Sequence, residues 1–276
     1  MVTGPALALS GLLLLAAPIG SAALEAAPDP AGPPDPAGAA LTLDVPAAAA
    51  TTGGLLLLSG LATLEKTRLV PATCRWCSPG PLDRLARGQL RWRNPGRAAS
   101  ASDALVVLVP AGAAVALGWS ALQAGGGWRE AGEDLLTVAE AVAVATALTE
   151  VAKYGAGRLR PYAWADGAPP SADARLSFWS GHASLAFSVA AATLQVARLR
   201  GRPAWRWIGL ASFAGAAAVA WLRVAGDRHW VTDVAAGAAV GTAAGLGVPL
   251  LVLHPAGGRA PPVTLVPAPG GLALLF

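Results

Sequence analysis

His229 and Asp233 stand four positions apart in the stretch Trp221-Leu-Arg-Val-Ala-Gly-Asp-Arg-His-Trp-Val-Thr-Asp233, so on a helix they share one face. An imidazole backed by a carboxylate can act as a nucleophile or take up a proton. Arg223 precedes the histidine by six positions and adds a fixed charge suited to an oxyanion. The stretch lies between two long apolar runs, where ionisable groups are functional candidates by default. A plainer reading of the same residues has Arg223 and Arg228 reaching to a lipid–water interface while Asp233 caps the next helix.

Two further groups have comparable chemistry. In Lys153-Tyr-Gly-Ala-Gly-Arg-Leu-Arg160-Pro161 the lysine and arginine are seven apart. On a continued helix they would lie nearly on one face, about 10 Å apart along the axis, within reach of one anion. A basic stop at a membrane edge would look the same. In Phe178-Trp-Ser-Gly-His182, Ser180, Gly181 and His182 are expected to form the first turn of a helix. Free backbone N–H groups there favour an anion, and Gly181 allows close approach. His182 is placed to give a proton, although Ser180 could be only an N-cap and His182 an interface histidine.

The elements that must position these residues are membrane helices. Hydrophobic residues make up 54% of the 276-residue chain and charged ones 13%, against about 25% charged in an average soluble domain. The expected fold class is all-α, a polytopic bundle of five or six transmembrane helices. The spans read as 104–121, 135–151, 183–197, 205–222 and 231–253, with 45–64 a marginal sixth that crosses or lies at the interface. Residues 1–24 read as a signal-like segment and 25–44 as a flexible linker. Residues 45–102 combine the marginal span with a basic stretch in which Leu82, Leu85, Leu90 and Trp92 suggest a short amphipathic surface helix. Residues 103–254 form the core and 255–276 a tail without a legible role. The net charge of +4 gathers in loops near apolar ends, which suits lipid headgroups or an anionic substrate rather than nucleic acid. Cys74 and Cys77 have no histidine near them and make a poor zinc site. If the segment is exported, a short-range disulfide is expected.

The three groups fall on one side of the bundle: the chain leaves the membrane at Lys153, re-enters at His182, leaves at Arg223 and re-enters at Asp233. Lys153, six residues, Arg160-Pro161, then Ser180-Gly181-His182, then Arg223, five residues, His229, three residues, Asp233, resembles the type 2 phosphatidic acid phosphatase superfamily. Two positions depart from that pattern: Trp179 stands where the family usually has proline, and Leu222 where it usually has serine. The resemblance implies an integral membrane phosphatase that cleaves a lipid phosphomonoester or pyrophosphate. His229 would be the phosphorylated nucleophile, Asp233 its orienting carboxylate and His182 the general acid. Lys153, Arg160, Ser180, Gly181 and Arg223 would hold the phosphoryl oxygens. A phosphotransferase of the same fold and a silent lipid-binding protein are the alternatives. No cofactor and no metal are expected, since no carboxylate cluster is apparent. The expected partners are the lipid substrate and membrane lipids, without nucleic acid. The expected location is a membrane of the bacterial inner-membrane type. Related lipid phosphatases work on the outer face, and the marginal quality of 45–64 favours that face here.

Overall fold

The computed structural model describes residues 40–167, 171–256, 264–268 and 271–275. The signal-like segment 1–24 and the linker up to residue 39 lie outside the described residues. What is described is almost wholly helical: α1 (Val45–Leu64), α2 (Lys66–Leu69), α3 (Pro81–Leu90), α4 (Pro95–Gln123), α5 (Gly127–Ala156), α6 (Pro161–Asp166), α7 (Gly181–Leu199), α8 (Trp205–Ala225) and α9 (Val231–Val252). Two antiparallel strand pairs complete it. β1 (Leu41–Leu43) pairs with β2 (Leu253–Pro255), and β3 (Thr264–Ala268) with β4 (Gly271–Leu275). The stretch read as linker therefore ends in a strand, because its Leu-Thr-Leu finds a backbone partner in the chain leaving α9. The core reaches further back than residue 103: α4 begins at Pro95, where Asn94 caps the helix by accepting from the Arg97 amide at 3.2 Å.

Helices α1, α4, α5, α8 and α9 are each long and apolar enough to cross a membrane. Their outer surfaces expose large apolar side chains such as Leu57, Val107, Val115, Val151 and Leu210, as expected of a surface that meets lipid rather than water. α7 is more polar, and its place explains why. It is packed by α4, α5, α8 and α9, so Ser184, Ser188 and Thr193 are buried inside protein. Its closest neighbour is α9, which turns Gly237, Gly241 and Gly245 towards it. A Cβ at Gly237 would sit 2.6 Å from the Ser180 carbonyl oxygen, and one at Gly245 would sit 2.5 Å from that of Ser188. Small residues at this spacing let the two backbones touch, the usual device of membrane helix pairs.

α1 is a continuous helix packed on α5 and fastened to it by the Tyr154 hydroxyl, which donates to the Ala62 carbonyl at 2.7 Å. This stretch has the length to cross, so the argument for an outward site from a non-crossing 45–64 falls away. The ends of α1, α5 and α8 and the starts of α4, α7 and α9 share one end of the bundle, together with α3. The opposite end is tied by buried ions. Arg200 bonds Asp134 (2.7 Å), Glu133 (3.3 Å) and the Leu41 carbonyl (2.5 Å), while Arg202 pairs with Glu130 and with Asp134. Such a network contributes little net stability, but removing one partner leaves a buried charge at a cost of about 3–5 kcal/mol.

Candidate active site

Local signals deliver the three motifs to the same end. α5 stops at Ala156 because Gly157 takes a left-handed conformation (φ 53°) that a glycine adopts without strain. Arg160 is therefore not on a continued helix with Lys153. It precedes Pro161, the first residue of α6. The gap that a straight helix would have kept is folded back, and Arg160 reaches His229. Ser180 is the N-cap of α7, with Gly181 and His182 in the first turn, as the spacing predicts; its hydroxyl accepts from the Ala183 amide at 3.4 Å. The tight turn 226–230 joins α8 to α9. It is shaped by Asp227 at φ 58°, a region that aspartate tolerates better than most residues.

His229 is buried in that turn. Its Nδ1 is 2.8 Å from the Ser177 carbonyl oxygen, and its Nε2 is 3.4 Å from Arg160 Nη1. A carbonyl can only accept, so Nδ1 carries the proton and Nε2 keeps its lone pair. Burial first, then the charges of Arg160, Arg223 and Lys153, hold His229 well below the usual imidazole value, and the Ser177 carbonyl works the other way. The ring is neutral near pH 7.

Asp233 is fully buried behind the ring. Its Oδ2 is 3.7 Å from His229 Nδ1, too far for a hydrogen bond, and it accepts from the Ser177 hydroxyl at 2.5 Å and the Trp230 amide at 2.9 Å. It also pairs with Arg158. The carboxylate thus closes the capping box of α9, and it stands within Coulomb range of the imidazole without bonding it.

The second histidine has a partner that no motif contains. Asp103, on α4, lies 2.9 Å from His182 Nε2 and accepts from Arg223 Nη1 at 2.7 Å. Arg223 is buried, and its Nε has no hydrogen-bond partner among the described residues. Lys153 donates to Glu150 at 2.9 Å. Its Nζ would lie 3.3 Å from a Cβ built on Gly181, so any side chain there would press on the ammonium. Arg160 is steadied by the Asp173 and Arg228 carbonyls, at 2.9 and 3.2 Å. Lys153, Arg160 and Arg223 thus converge on His229 from three separate elements. Among the described residues no group of three or more His, Cys, Asp or Glu side chains is arranged to hold a metal ion.

Sequence reasoning missed the frame around these residues. Arg158, wholly buried, joins Asp233 to Asp83 of α3, bonding the latter at 2.6 Å. Cys74 and Cys77 form a disulfide, and the loop that it closes lies against the chain after α5. Arg75 and Trp76 bond Gly157 and Leu159 along the backbone (both 3.1 Å), and the Trp76 ring covers the Arg158 guanidinium at 3.7 Å. The doublet Gly157-Arg158 and the lone Asp103 before an apolar run were the available signals, and neither fits a motif by spacing.

A buried imidazole with three cations around it, at one end of a bundle whose helices are long and apolar enough to span a membrane, is chemistry suited to an anion of phosphate type. The comparison with known families is narrower. Residues 134–254 match the profile of the PAP2 superfamily, the family that the motifs resemble, and every motif residue lies inside the matched segment. That family suggests phosphatase activity on phosphate esters. No curated protein and no solved structure matches the chain.

Proposed function

We propose that the chain is a lipid phosphatase working through a phosphohistidine, and that the observation carrying this reading is the unprotonated Nε2 of His229 beside Arg160. In the first step Nε2 attacks phosphorus and the bond from phosphorus to the leaving oxygen breaks. His182 gives that oxygen its proton. Arg160, Arg223 and Lys153, with the Ser180 hydroxyl and the Gly181 N–H, hold the phosphoryl oxygens. The negative charge of Asp233 offsets the positive charge that the imidazole gains. In the second step His182 takes a proton from water, the oxygen attacks phosphorus, and the N–P bond breaks to release phosphate and free His229.

An apolar cavity of about 490 Å³ favours a lipid over a soluble ester. It is lined by Val106 and Pro110 of α4, Val138 and Val142 of α5, and Leu185 and Val189 of α7. Val106 lies one turn beyond Asp103 and Leu185 one turn beyond His182. A hydrocarbon chain seated there has its headgroup at the cations. A site on the non-cytoplasmic face is favoured by the Cys74–Cys77 disulfide at the same end, since such bonds persist in oxidising compartments. Because α1 can cross, residue 40 then lies on the cytoplasmic side.

The test is a phosphate-release screen of the purified protein, with EDTA present, against phosphatidic acid, phosphatidylglycerol phosphate, undecaprenyl diphosphate and lipid A. It is paired with labelling from a radioactive phosphate substrate. Label stable in alkali, lost in acid and absent in His229→Ala is the expected result. Acid-stable label, or near-normal release by His229→Ala, overturns the mechanism.

A further inference from the structure

The short helix α3 is inside out for a helix on a soluble surface. Asp83 and Arg87, four apart, face the protein, and Asp83 is 2% exposed. Leu85 points directly away from them and is 64% exposed, with Leu82 beside it at 61%. A water-facing helix keeps its leucines in and its charges out, so this pattern calls for an apolar medium on the outer side. The position of α3 supplies one. After α3 the Trp92 amide donates to the Ala225 carbonyl at the end of α8, and the Trp92 ring meets that of Trp221 edge-on at 5.5 Å. Three residues later the apolar helix α4 begins. Tryptophans collect at this level of a bilayer.

The inward residues of α3 bind the third motif, directly and through Arg158. Asp83 accepts from the Thr232 amide (3.1 Å), the Thr232 hydroxyl (2.9 Å) and Arg158 Nη2 (2.6 Å). Arg158 in turn bonds Thr232 (2.8 Å) and pairs with Asp233. Arg87 grips both oxygens of Asp227 at 2.7 Å, and Arg91 adds a bond at 3.0 Å. The turn that carries His229 is therefore held on both sides from one helix: at Asp227 before the histidine, and at Thr232 and Asp233 after it.

We propose that α3 is a lipid-seated strut, with Leu82 and Leu85 in the acyl boundary of the membrane and Asp83 a positioning residue for the His229 turn. The positioning role rests on the phosphatase reading above; the lipid seat does not. Asp83 lies outside the family match and touches no reacting atom. It acts through Arg158 and Thr232.

The test uses the full chain in phosphatidylcholine–phosphatidylglycerol nanodiscs. Leu85→Cys carries a nitroxide, which the disulfide-bonded native cysteines do not take up. The expected label is relaxed by oxygen and shielded from a water-soluble nickel chelate; the reverse overturns the lipid seat whatever the activity. Once wild-type phosphate release is established, Asp83→Asn is expected to lower kcat by about 10- to 100-fold, by analogy with groups that orient a metal ligand from behind. KM stays within about twofold, and Asp83→Glu restores part of the loss. Should Asp83→Asn not fold, Thr232→Val removes the same hydroxyl link and is expected to lower kcat severalfold at unchanged KM. If either variant loses only thermal stability, with kcat and KM of the folded fraction intact, the positioning role is wrong. No phosphate release by the wild type would sink the phosphatase reading instead, with the nitroxide result still standing.

Discussion

Asp233→Asn is the substitution whose size the geometry constrains best. In the serine proteases an aspartate that directly holds the histidine is worth about 10⁴-fold, largely because its loss lets the imidazole take the wrong tautomer. Here the Ser177 carbonyl holds Nδ1–H at 2.8 Å, so the tautomer survives the change and only the charge is lost. A unit charge at the observed 3.7 Å is worth about 4 kcal/mol at an effective dielectric constant of 20. Arg158, paired to the same carboxylate, cancels part of it, which leaves about 3–4 kcal/mol and a loss of about 10²- to 10³-fold in kcat. Arg158 keeps Asp83 as a partner, so the fold is expected to persist with a lower melting temperature. The assay is single-turnover phosphate release with an alkaline quench, which separates formation of the labelled enzyme from its hydrolysis, alongside a melting curve in the same nanodiscs. A loss below tenfold in a folded variant refutes the electrostatic role. A loss as deep as that of His229→Ala refutes the assignment of tautomer control to Ser177.

Four other outcomes follow from the same contacts. His182→Ala is expected to slow release from a lipid alcohol far more than from nitrophenyl phosphate, because only the poor leaving group needs the proton; equal losses with both substrates reject the general-acid role. Arg223→Lys is expected to lose at least tenfold in kcat/KM, since a point charge on a flexible stem does not reproduce the planar fork that bonds Asp103 through Nη1. The depressed His229 pKa gives a definite sign: the neutral form is favoured in the fold, so its stabilising contribution is full above about 6.5 and falls as the pH drops below it. The acid limb of kcat/KM should accordingly lie well below that value, and the melting temperature should decline on the acid side; an acid limb near 7 refutes the burial argument. Opening the Cys74–Cys77 disulfide with an impermeant reductant should loosen Trp76 from Arg158 and lower kcat, and a membrane-impermeant maleimide should label the pair in intact cells only after that treatment. Labelling only after lysis would put the site on the cytoplasmic face.

The motif residues were legible because ionisable side chains are scarce in so apolar a chain and stand beside strong helix signals. Gly157 and Pro161 mark where α5 ends and α6 begins, and Ser180 and Gly181 mark the start of α7. The helices α4, α5, α8 and α9 were legible from hydropathy; α7 was read as one more span, yet it falls short of the apolar character of the other five, because as the central helix it buries its polar residues against protein. What could not be read is how far a side chain reaches once the chain turns. Lys153 and Arg160 looked like neighbours on one helix, yet a left-handed glycine sends Arg160 to His229 by another route.

Residue types, their order and their spacing determined the membrane bundle, the shared end of the three motifs and the chemistry available there, because each depends on contacts within a few turns of chain. Only the tertiary structure decided which group holds each reactive atom. Ser177 rather than Asp233 takes the Nδ1 proton of His229, Asp103 joins His182 to Arg223, and Asp83 meets Thr232 across 149 positions of sequence. Those pairings depend on how separate helices pack. Packing is set by the small faces of α9 and α7 and by buried ion pairs, whose partners have no fixed spacing along the chain.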